Sequence, residues 1–274
     1  MIDVNNKKVI IGLSGGVDSA VSMLLLREKG AIVEALHMTN WDDDDQYCSA
    51  AEDLQDAKKL CKQLSIPLHH INFTKEYREN VFENFLNEYK KGRTPNPDIL
   101  CNREIKFGVF KSHAERLGAE FIATGHYAKI KRGNGALKLF KSKDKNKDQT
   151  YFLYAVEPKN FKNTIFPLAD ITKEEVRAIA QANGLINYKK RDSTGICFIG
   201  KRPFKEFLGS YIPSEPGNII DRNGTIVGVH DGLMFHTIGQ RQGLNIGGIK
   251  NGSGEPWYVS EKDTKNNTLT VVQG

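Results

Sequence analysis

Ser14-Gly15-Gly16-Val17-Asp18-Ser19 packs two glycines, two hydroxyls and a carboxylate into one short run, and phosphate binding is the chemistry that suits it. Glycines let a backbone approach an anion closely. The N–H groups of such a turn and the positive end of a following helix then face the phosphates, while the serines add hydroxyl donors. No Gly-Lys-Ser/Thr follows, so this is not the Walker loop, and the Gly-x-Gly-x-x-Gly of dinucleotide folds is absent. The four cysteines are the second source of chemistry. Cys61 falls on the apolar positions of a helical stretch and reads as a packed thiol, and Cys48 lies just before that stretch with no evident partner. Cys101 follows the proline-stiffened Arg93-Thr-Pro-Asn-Pro-Asp-Ile-Leu100 where a helix is expected to begin, a placement that favours thiolate near neutral pH. Cys197 sits in Arg191-Asp-Ser-Thr-Gly-Ile-Cys-Phe-Ile-Gly200, whose glycines suggest a loop and whose basic flank would stabilise thiolate and attract phosphate. These two thiols can react with each other only if the fold brings them together. Asp42–Asp45 reads as a solvated acidic loop. His69, His70 and His113 lack metal-ligand spacing, and no Cys-x-x-Cys is present, so no zinc site is expected.

The elements that must position these residues alternate. Lys8–Leu13 reads as a short buried strand, the glycine turn follows, and an apolar helix runs to Gly30, a suitable residue just past a helix end. A strand over 31–39, a helix over 49–64 stopped by Pro67, a strand over 68–73 and a helix marked by Tyr77, Val81, Phe82, Phe85, Leu86 and Tyr89 continue the pattern. After the loop 92–100 come a helix near 101–117 and a strand over 120–124. Strands separated by helices of this length imply βαβ units and a parallel sheet covered on both faces. A hairpin is expected around Asn134-Gly135, then a helix opened by the capping box Thr172-Lys-Glu-Glu175 and ending at Gly184. From Phe204 the signals become mainly β, with Ile219-Ile220 and Ile226-Val227 flanking Asn223-Gly224, and Trp257–Val259 and Leu269–Val272 flanking a polar turn. The expected organisation is an α/β domain over 1–201, with a Rossmann-like parallel sheet, and a smaller, mainly β domain over 202–274.

Composition bounds the function. At 274 residues, 39% hydrophobic and 26% charged, the chain is long enough for about two domains, and its apolar runs fall far short of the ~20 residues that span a bilayer. No apolar segment resembling a secretory signal follows Met1, so a cytoplasmic location without membrane association is expected. Four cysteines are too few for a disulfide framework in a chain this long. Thirty-nine Lys and Arg against 33 Asp and Glu give +6, a moderate excess that permits nucleic acid. Its distribution says more, because Lys141, Lys143, Lys145 and Lys147 crowd one loop, Lys129, Lys131 and Arg132 precede it, and Lys189-Lys190-Arg191 forms a third cluster.

The phosphate loop resembles that of ATP pyrophosphatases, which split ATP into AMP and pyrophosphate to adenylate a substrate oxygen. The combination of Gly12-Leu13-Ser14-Gly15-Gly16-Val17-Asp18-Ser19, Gly92-Arg-Thr-Pro-Asn-Pro-Asp-Ile-Leu-Cys-Asn102, Ala123-Thr-Gly-His-Tyr127, Lys147-Asp148-Gln149 and Asp192-Ser-Thr-Gly-Ile-Cys-Phe-Ile-Gly200 resembles the bacterial tRNA-specific 2-thiouridylases. The likeness extends through His236-Thr-Ile-Gly-Gln-Arg241 and Glu255-Pro-Trp-Tyr258. It implies an adenine nucleotide alpha hydrolase-like fold and synthesis of 2-thiouridine at the wobble uridine of tRNA. By the same resemblance, ATP is the co-substrate and a protein persulfide relay donates sulfur; Mg2+ is expected to neutralise the phosphates, as in other nucleotidyl transfer, and no iron-sulfur cluster is expected.

Carried over residue by residue, the resemblance assigns Gly12 to Ser19 to the ATP phosphates and Met38 and Gly125 to the adenosine. Asn96, Pro97 and Asp98 would hold the target base, with Asp98 a general acid/base. Lys147, Asp148 and Gln149 would touch tRNA. Cys197 would carry the persulfide and Cys101 would resolve it, leaving a Cys101–Cys197 disulfide; direct persulfide attack is a second route to the same bond. Asp18 is a general candidate for magnesium. The family carries a further C-terminal β-barrel that contributes tRNA contacts, whereas this sequence ends at Gly274, so weakened tRNA docking with an intact nucleotide site is expected. Two rivals share the loop: an amide- or guanidine-forming synthetase, which has no need of Cys101 or Cys197, and a non-catalytic nucleotide- or tRNA-binding module, which would release no pyrophosphate.

Overall fold

The computed structural model describes residues 2–41, 50–133, 136–192, 196, 198–200, 202–246 and 254–274. The chain forms two compact units, one of residues 1–81 and 97–201, the other of 82–96 and 202–274. The first unit starts with β1 (Lys8–Gly12), α1 (Val17–Glu28), β2 (Ile32–Thr39), α2 (Ala50–Leu64), β3 (Leu68–Asn72) and α3 (Thr74–Tyr77). A π-helical turn, Arg78–Phe82, leads into α4 (Glu83–Lys90). The periodicity of 77–89 predicts one helix there. The structure divides it, because Phe82, Phe85 and Tyr89 join an aromatic cluster of the second unit, with Phe82 at 4.9 Å from Tyr211 and Tyr89 at 5.7 Å from Phe204.

The first unit resumes with α5 (Pro97–Leu100), a π-helical stretch over Cys101–Val109, α6 (Phe110–Arg116), β4 (Phe121–Ala123), the hairpin β5 (Ala128–Gly133) and β6 (Ala136–Lys141), β7 (Thr164–Ile165) and α7 (Lys173–Ala182). Five strands make a parallel sheet in the order β3-β2-β1-β4-β7. Alternation along β1 sends Val9 and Ile11 into a core with α1, α2 and α7, including Leu24, Leu60, Cys61 and Val176. Ile10, on the opposite face, is also fully buried, and the Phe110 ring of α6 lies against Gly12. The apolar run of β1 thus matches a strand covered on both faces. The capping box at α7 forms as the sequence implies: Glu175 N–H donates to Thr172 Oγ1 (3.2 Å) and Thr172 N–H to Glu175 Oε2 (2.6 Å).

The second unit adds α8 (Phe204–Gly209), β8 (Gly217–Ile220), β9 (Ile226–His230), β10 (Trp257–Asp263) and β11 (Thr268–Gln273). Its sheet runs β10-β11-β8-β9 over a core of Ile219, Leu233, Leu244, Val259, Leu269 and Val271. Among the described residues, no helix is long and apolar enough to cross a membrane.

Candidate functional site

Strand order reverses at β1, with β2 and β3 on one side and β4 and β7 on the other. In open parallel sheets the crevice at the carboxyl ends of such neighbours is where ligands bind. Here that crevice receives the turn from Gly12 into α1 and the segment after Ala123. Gly15 has φ +78°, and a Cβ there would lie 2.7 Å from the Asp53 carbonyl oxygen, so the turn admits only glycine. Gly16 caps α1 in extended conformation without any side-chain bond, and the helix's first backbone bond runs from Ala20 N–H to Gly16 O (3.2 Å). The N–H groups ahead of it have no intrahelical acceptor, which is the electrostatic condition for anion binding. Ser19 Oγ donates to Gly16 O (3.1 Å) and accepts from Ser14 N–H (3.2 Å), fixing the turn internally. Gly125 comes directly onto this first turn, since its Cβ would lie 2.9 Å from Ser19 N. Met38 is half-buried on the carboxyl-end half of β2.

Above the turn lies a cluster of opposed charges. Lys173 Nζ donates to Asp18 Oδ1 and Asp192 Oδ1, each at 2.6 Å. Lys147 pairs with Asp192 Oδ2 and stands 3.8 Å from Asp18 Oδ2, Arg177 reaches Asp192 at 3.4 Å, and Tyr127 Oη donates to Asp18 Oδ1 (2.8 Å). Burial would raise the Asp192 carboxyl, but the bonds from Lys147 and Lys173 outweigh it and hold the group below the usual carboxylate range. Burial and the neighbouring Asp18 push the Tyr127 phenol far up, so it stays a donor. Three cations thus face Asp18 and Asp192 beside uncapped helix N–H groups, with a third carboxylate, Asp144, accepting from the Lys173 N–H (2.8 Å) and facing Lys147. A second set of bonds anchors the turn from behind: Asn187 Nδ2 donates to Gly15 O (3.0 Å), and Lys190 bridges Asp53 (2.9 Å) and Asp56 (2.6 Å) of α2.

The thiol-bearing helix differs from its expected boundaries. It begins at Pro97 rather than near Cys101, because proline has no N–H to lose at a first helical position. Cys101 therefore lies past the first turn, in the π-helical stretch, and is buried. The helix-end argument for its thiolate loses its geometric basis, since that field falls off within one turn. Burial raises the Asp98 carboxyl above its usual range against the opposing charge of Lys106, and Asn102 Nδ2 donates to the Asp98 carbonyl (2.9 Å). Asn96 is exposed and closes the second unit's segment 82–96, while Pro97, buried, opens the return to the first unit. Asp148 accepts from Thr150 N–H (3.0 Å) and Oγ1 (2.6 Å), and Gln149 Oε1 accepts from Tyr127 N–H (2.9 Å). Cys61 is packed in the core, where burial pushes its thiol up to about 11. Cys48 and Cys197 lie outside the described residues, as do Asp42–Asp45. No group of three or more His, Cys, Asp or Glu is placed to hold a metal ion among the described residues.

Residues 7–201 match the family described as tRNA methyl transferase HUP domain, and residues 205–273 match the tRNA methyl transferase PRC-barrel domain. The chain is 58% identical to the tRNA-specific 2-thiouridylase MnmA of Legionella pneumophila over 97% of its own length and 74% of the relative's. The chain belongs to the tRNA-specific 2-thiouridylase family. The MnmA of Psychromonas ingrahamii is 55% identical over 100% of this chain and 76% of its own. Among solved structures, the U34-tRNA thiolase NcsA from Methanococcus maripaludis is 21% identical with a TM-score of 0.48, covering 77% of this chain and 66% of that one.

In this 2-thiouridylase chain the structure brings Ser14 to Ser19, Gly125 and Lys147 to one place. It adds Lys173, Arg177, Asn187 and Asp192, whose part in the loop the sequence reading missed. Lys173 appears there only as a member of the capping box, although Lys173 and Arg177 at i,i+4 already set two cations on one side of the helix's start.

Proposed function

We propose that the chain is a tRNA-uridine 2-sulfurtransferase that activates the C2 oxygen of the wobble uridine with ATP and replaces it with sulfur from a cysteine persulfide. The observation that supports this most is the uncapped glycine turn at the sheet's switch point, with Lys147 and Lys173 held beside it. ATP phosphates fit the N–H groups of the first turn of α1, which have no intrahelical acceptor, and Lys173 and Lys147 exchange part of their carboxylate pairing for phosphate oxygens. The adenosine lies by Met38 and Gly125, whose lack of a side chain lets its backbone close on the first turn of α1.

Asn96, Pro97 and Asp98 hold the uracil, and the elevated Asp98 carboxyl takes up or returns a proton at the base's edge. The uracil oxygen attacks the α-phosphorus and pyrophosphate leaves. Cys101 thiolate then attacks the sulfur of Cys197 in its persulfide, forming the Cys101–Cys197 bond and freeing hydrosulfide. Hydrosulfide adds at C2 and AMP departs with the original oxygen, after which a thiol reductant reopens the disulfide. The persulfide itself comes from a donor protein of a sulfur relay. Mg2+ would offset the phosphate charge, and Asp18, the carboxylate of the glycine turn, would be its candidate holder, with Oδ1 engaged by Lys173 and Tyr127. Asp148 and Gln149 touch tRNA, the first bonded to Thr150 of the turn after it and the second to Tyr127. The thiols Cys101 and Cys197 favour sulfur over methyl as the transferred group.

Nucleoside analysis of tRNA incubated with the chain, ATP, Mg2+ and a persulfide donor is expected to show 2-thiouridine with release of AMP and pyrophosphate. Thiolation that persists in the Cys101→Ser, Cys197→Ser double variant would overturn the sulfur route. Thiolation without AMP would overturn the adenylation.

A further inference from the structure

β5 and β6 form a two-stranded sheet of their own, a unit that is marginal in water without support. Its register sets Lys131 directly opposite Lys138 and Lys129 opposite Phe140, so these four residues share one face. Like charges facing each other across a strand pair destabilise it, and neither Lys131 nor Lys138 has a carboxylate within ion-pair distance among the described residues. Lys131 Nζ instead lies 4.7 Å above the Phe140 ring, which is itself exposed. Next to β6 packs the 3-10 turn Thr150–Phe152, which also packs against α5, the turn carrying Asp98. On this turn Tyr151, and two residues beyond it Tyr154, stand out, 54% and 72% exposed. Large aromatic rings in water beside unpaired lysines combine the two components of single-strand RNA recognition: a cationic track for the backbone and π-faces for unstacked bases.

We propose that this face is a docking surface for the substrate RNA, with Lys131 and Lys138 on its phosphodiester backbone and Tyr151 and Tyr154 under unpaired bases of the loop. It rests on the reading that the substrate is a tRNA loop, and it names the residues that receive that loop. The lysines tolerate their mutual repulsion because an anion relieves it. The tyrosines, unlike the loop lysines, confer a preference for unpaired over paired RNA.

The test is fluorescence anisotropy with two labelled RNAs, an anticodon stem–loop and a fully paired duplex of equal length, at several salt concentrations. Lys131→Ala with Lys138→Ala is expected to weaken both RNAs and to lower the slope of log K against log salt by about 0.7–0.9 per lysine, with ATP affinity unchanged. Tyr151→Ala and Tyr154→Ala are each expected to weaken the stem–loop on the order of 10-fold, to leave the duplex and the salt slope unaltered, and to be rescued by phenylalanine. Unchanged affinity for both RNAs in all variants, or equal losses for stem–loop and duplex in the tyrosine variants, would overturn the surface. If such variants bind normally while the parent chain thiolates tRNA, the surface falls and the function stands. If they lose stem–loop binding while the parent makes no 2-thiouridine, the surface stands and the function falls.

Discussion

Lys173→Met is expected to lower kcat/KM for ATP in AMP release by roughly 10- to 150-fold. The ammonium sits 2.6 Å from one oxygen of Asp18 and 2.6 Å from one of Asp192, and its side chain is only 18% exposed. Deleting it removes one of the three cations that face Asp18, Asp192 and the nearby Asp144, so the site becomes one unit more negative. Unit charges ~4 Å apart at an effective dielectric of ~20 interact by about 4 kcal/mol. Part of that is offset, because Lys173 gives up carboxylate oxygens to reach a phosphate. What remains compares with a hydrogen bond to a charged group, about 1.5–3 kcal/mol, and each 1.36 kcal/mol is about tenfold. Methionine suits the first position of α7, and the Thr172–Glu175 capping box does not use the Lys173 side chain, so the fold is expected to persist. The assay is AMP and pyrophosphate release against ATP concentration with saturating tRNA, alongside the urea midpoint. A kcat/KM within twofold of the parent at an unchanged midpoint would refute the phosphate role of Lys173.

Gly15→Ala combines a positive φ with a contact to backbone at Asp53, so ATP binding by calorimetry is expected to fall sharply, and strain alone to cost about 1–2 kcal/mol of stability. Peptide mapping after a single turnover is expected to find one bridge, Cys101–Cys197, with Cys48 and Cys61 as thiols; a bridge that includes Cys61 would contradict the assignment. His236 is buried with both ring nitrogens unpartnered among the described residues, and burial, then the charges of His230, Lys205 and Lys262, lower it from 6.5 to about 4. The unfolded chain therefore binds the extra proton first. Stability is complete above pH ~6.5 and falls as pH drops toward 4, by about 2 kcal/mol at pH 5 and ~3 in all, visible as a urea midpoint that falls with pH in the fluorescence of a Trp41→Phe background, where Trp257 alone reports, and flattened in His236→Gln.

The parts of the fold legible in sequence are those set by neighbours in the chain. β1, the glycine turn and α1 follow from an apolar run, two glycines and a helical stripe within about one turn of each other, and the α7 capping box needs only Thr172 and Glu175. The start of α5 is displaced from the expected helix by one turn because the loop's prolines mask a helix start as well as marking one. What sequence does not carry is pairing across distance. Lys173 meets Asp18 across 155 positions, and Asn187 meets Gly15 across 172. The same holds for Phe82, whose helical periodicity gives no sign that it packs with the second unit rather than the first.

The lysines show why a charge count is a weak guide to a ligand and pairing a stronger one. Sequence clusters treat Lys141–Lys147 and Lys189–Arg191 as comparable basic patches. In the fold Lys147 and Lys173 are tied to carboxylates beside the phosphate turn, and Lys190 is committed to Asp53 and Asp56 behind it. Their positive charge is held in place before any ligand arrives, which suits a small polyanion whose oxygens must be positioned to within a fraction of an ångström. Lys131 and Lys138 face each other with no carboxylate within ion-pair distance among the described residues, on a hairpin that gains nothing from the repulsion. A preorganised, partly neutralised cluster selects by geometry, whereas an exposed, uncompensated pair attracts through the longer-range field that salt screens. The two arrangements in one unit thus match the two anions of the proposed reaction, nucleotide in the crevice and RNA along the hairpin.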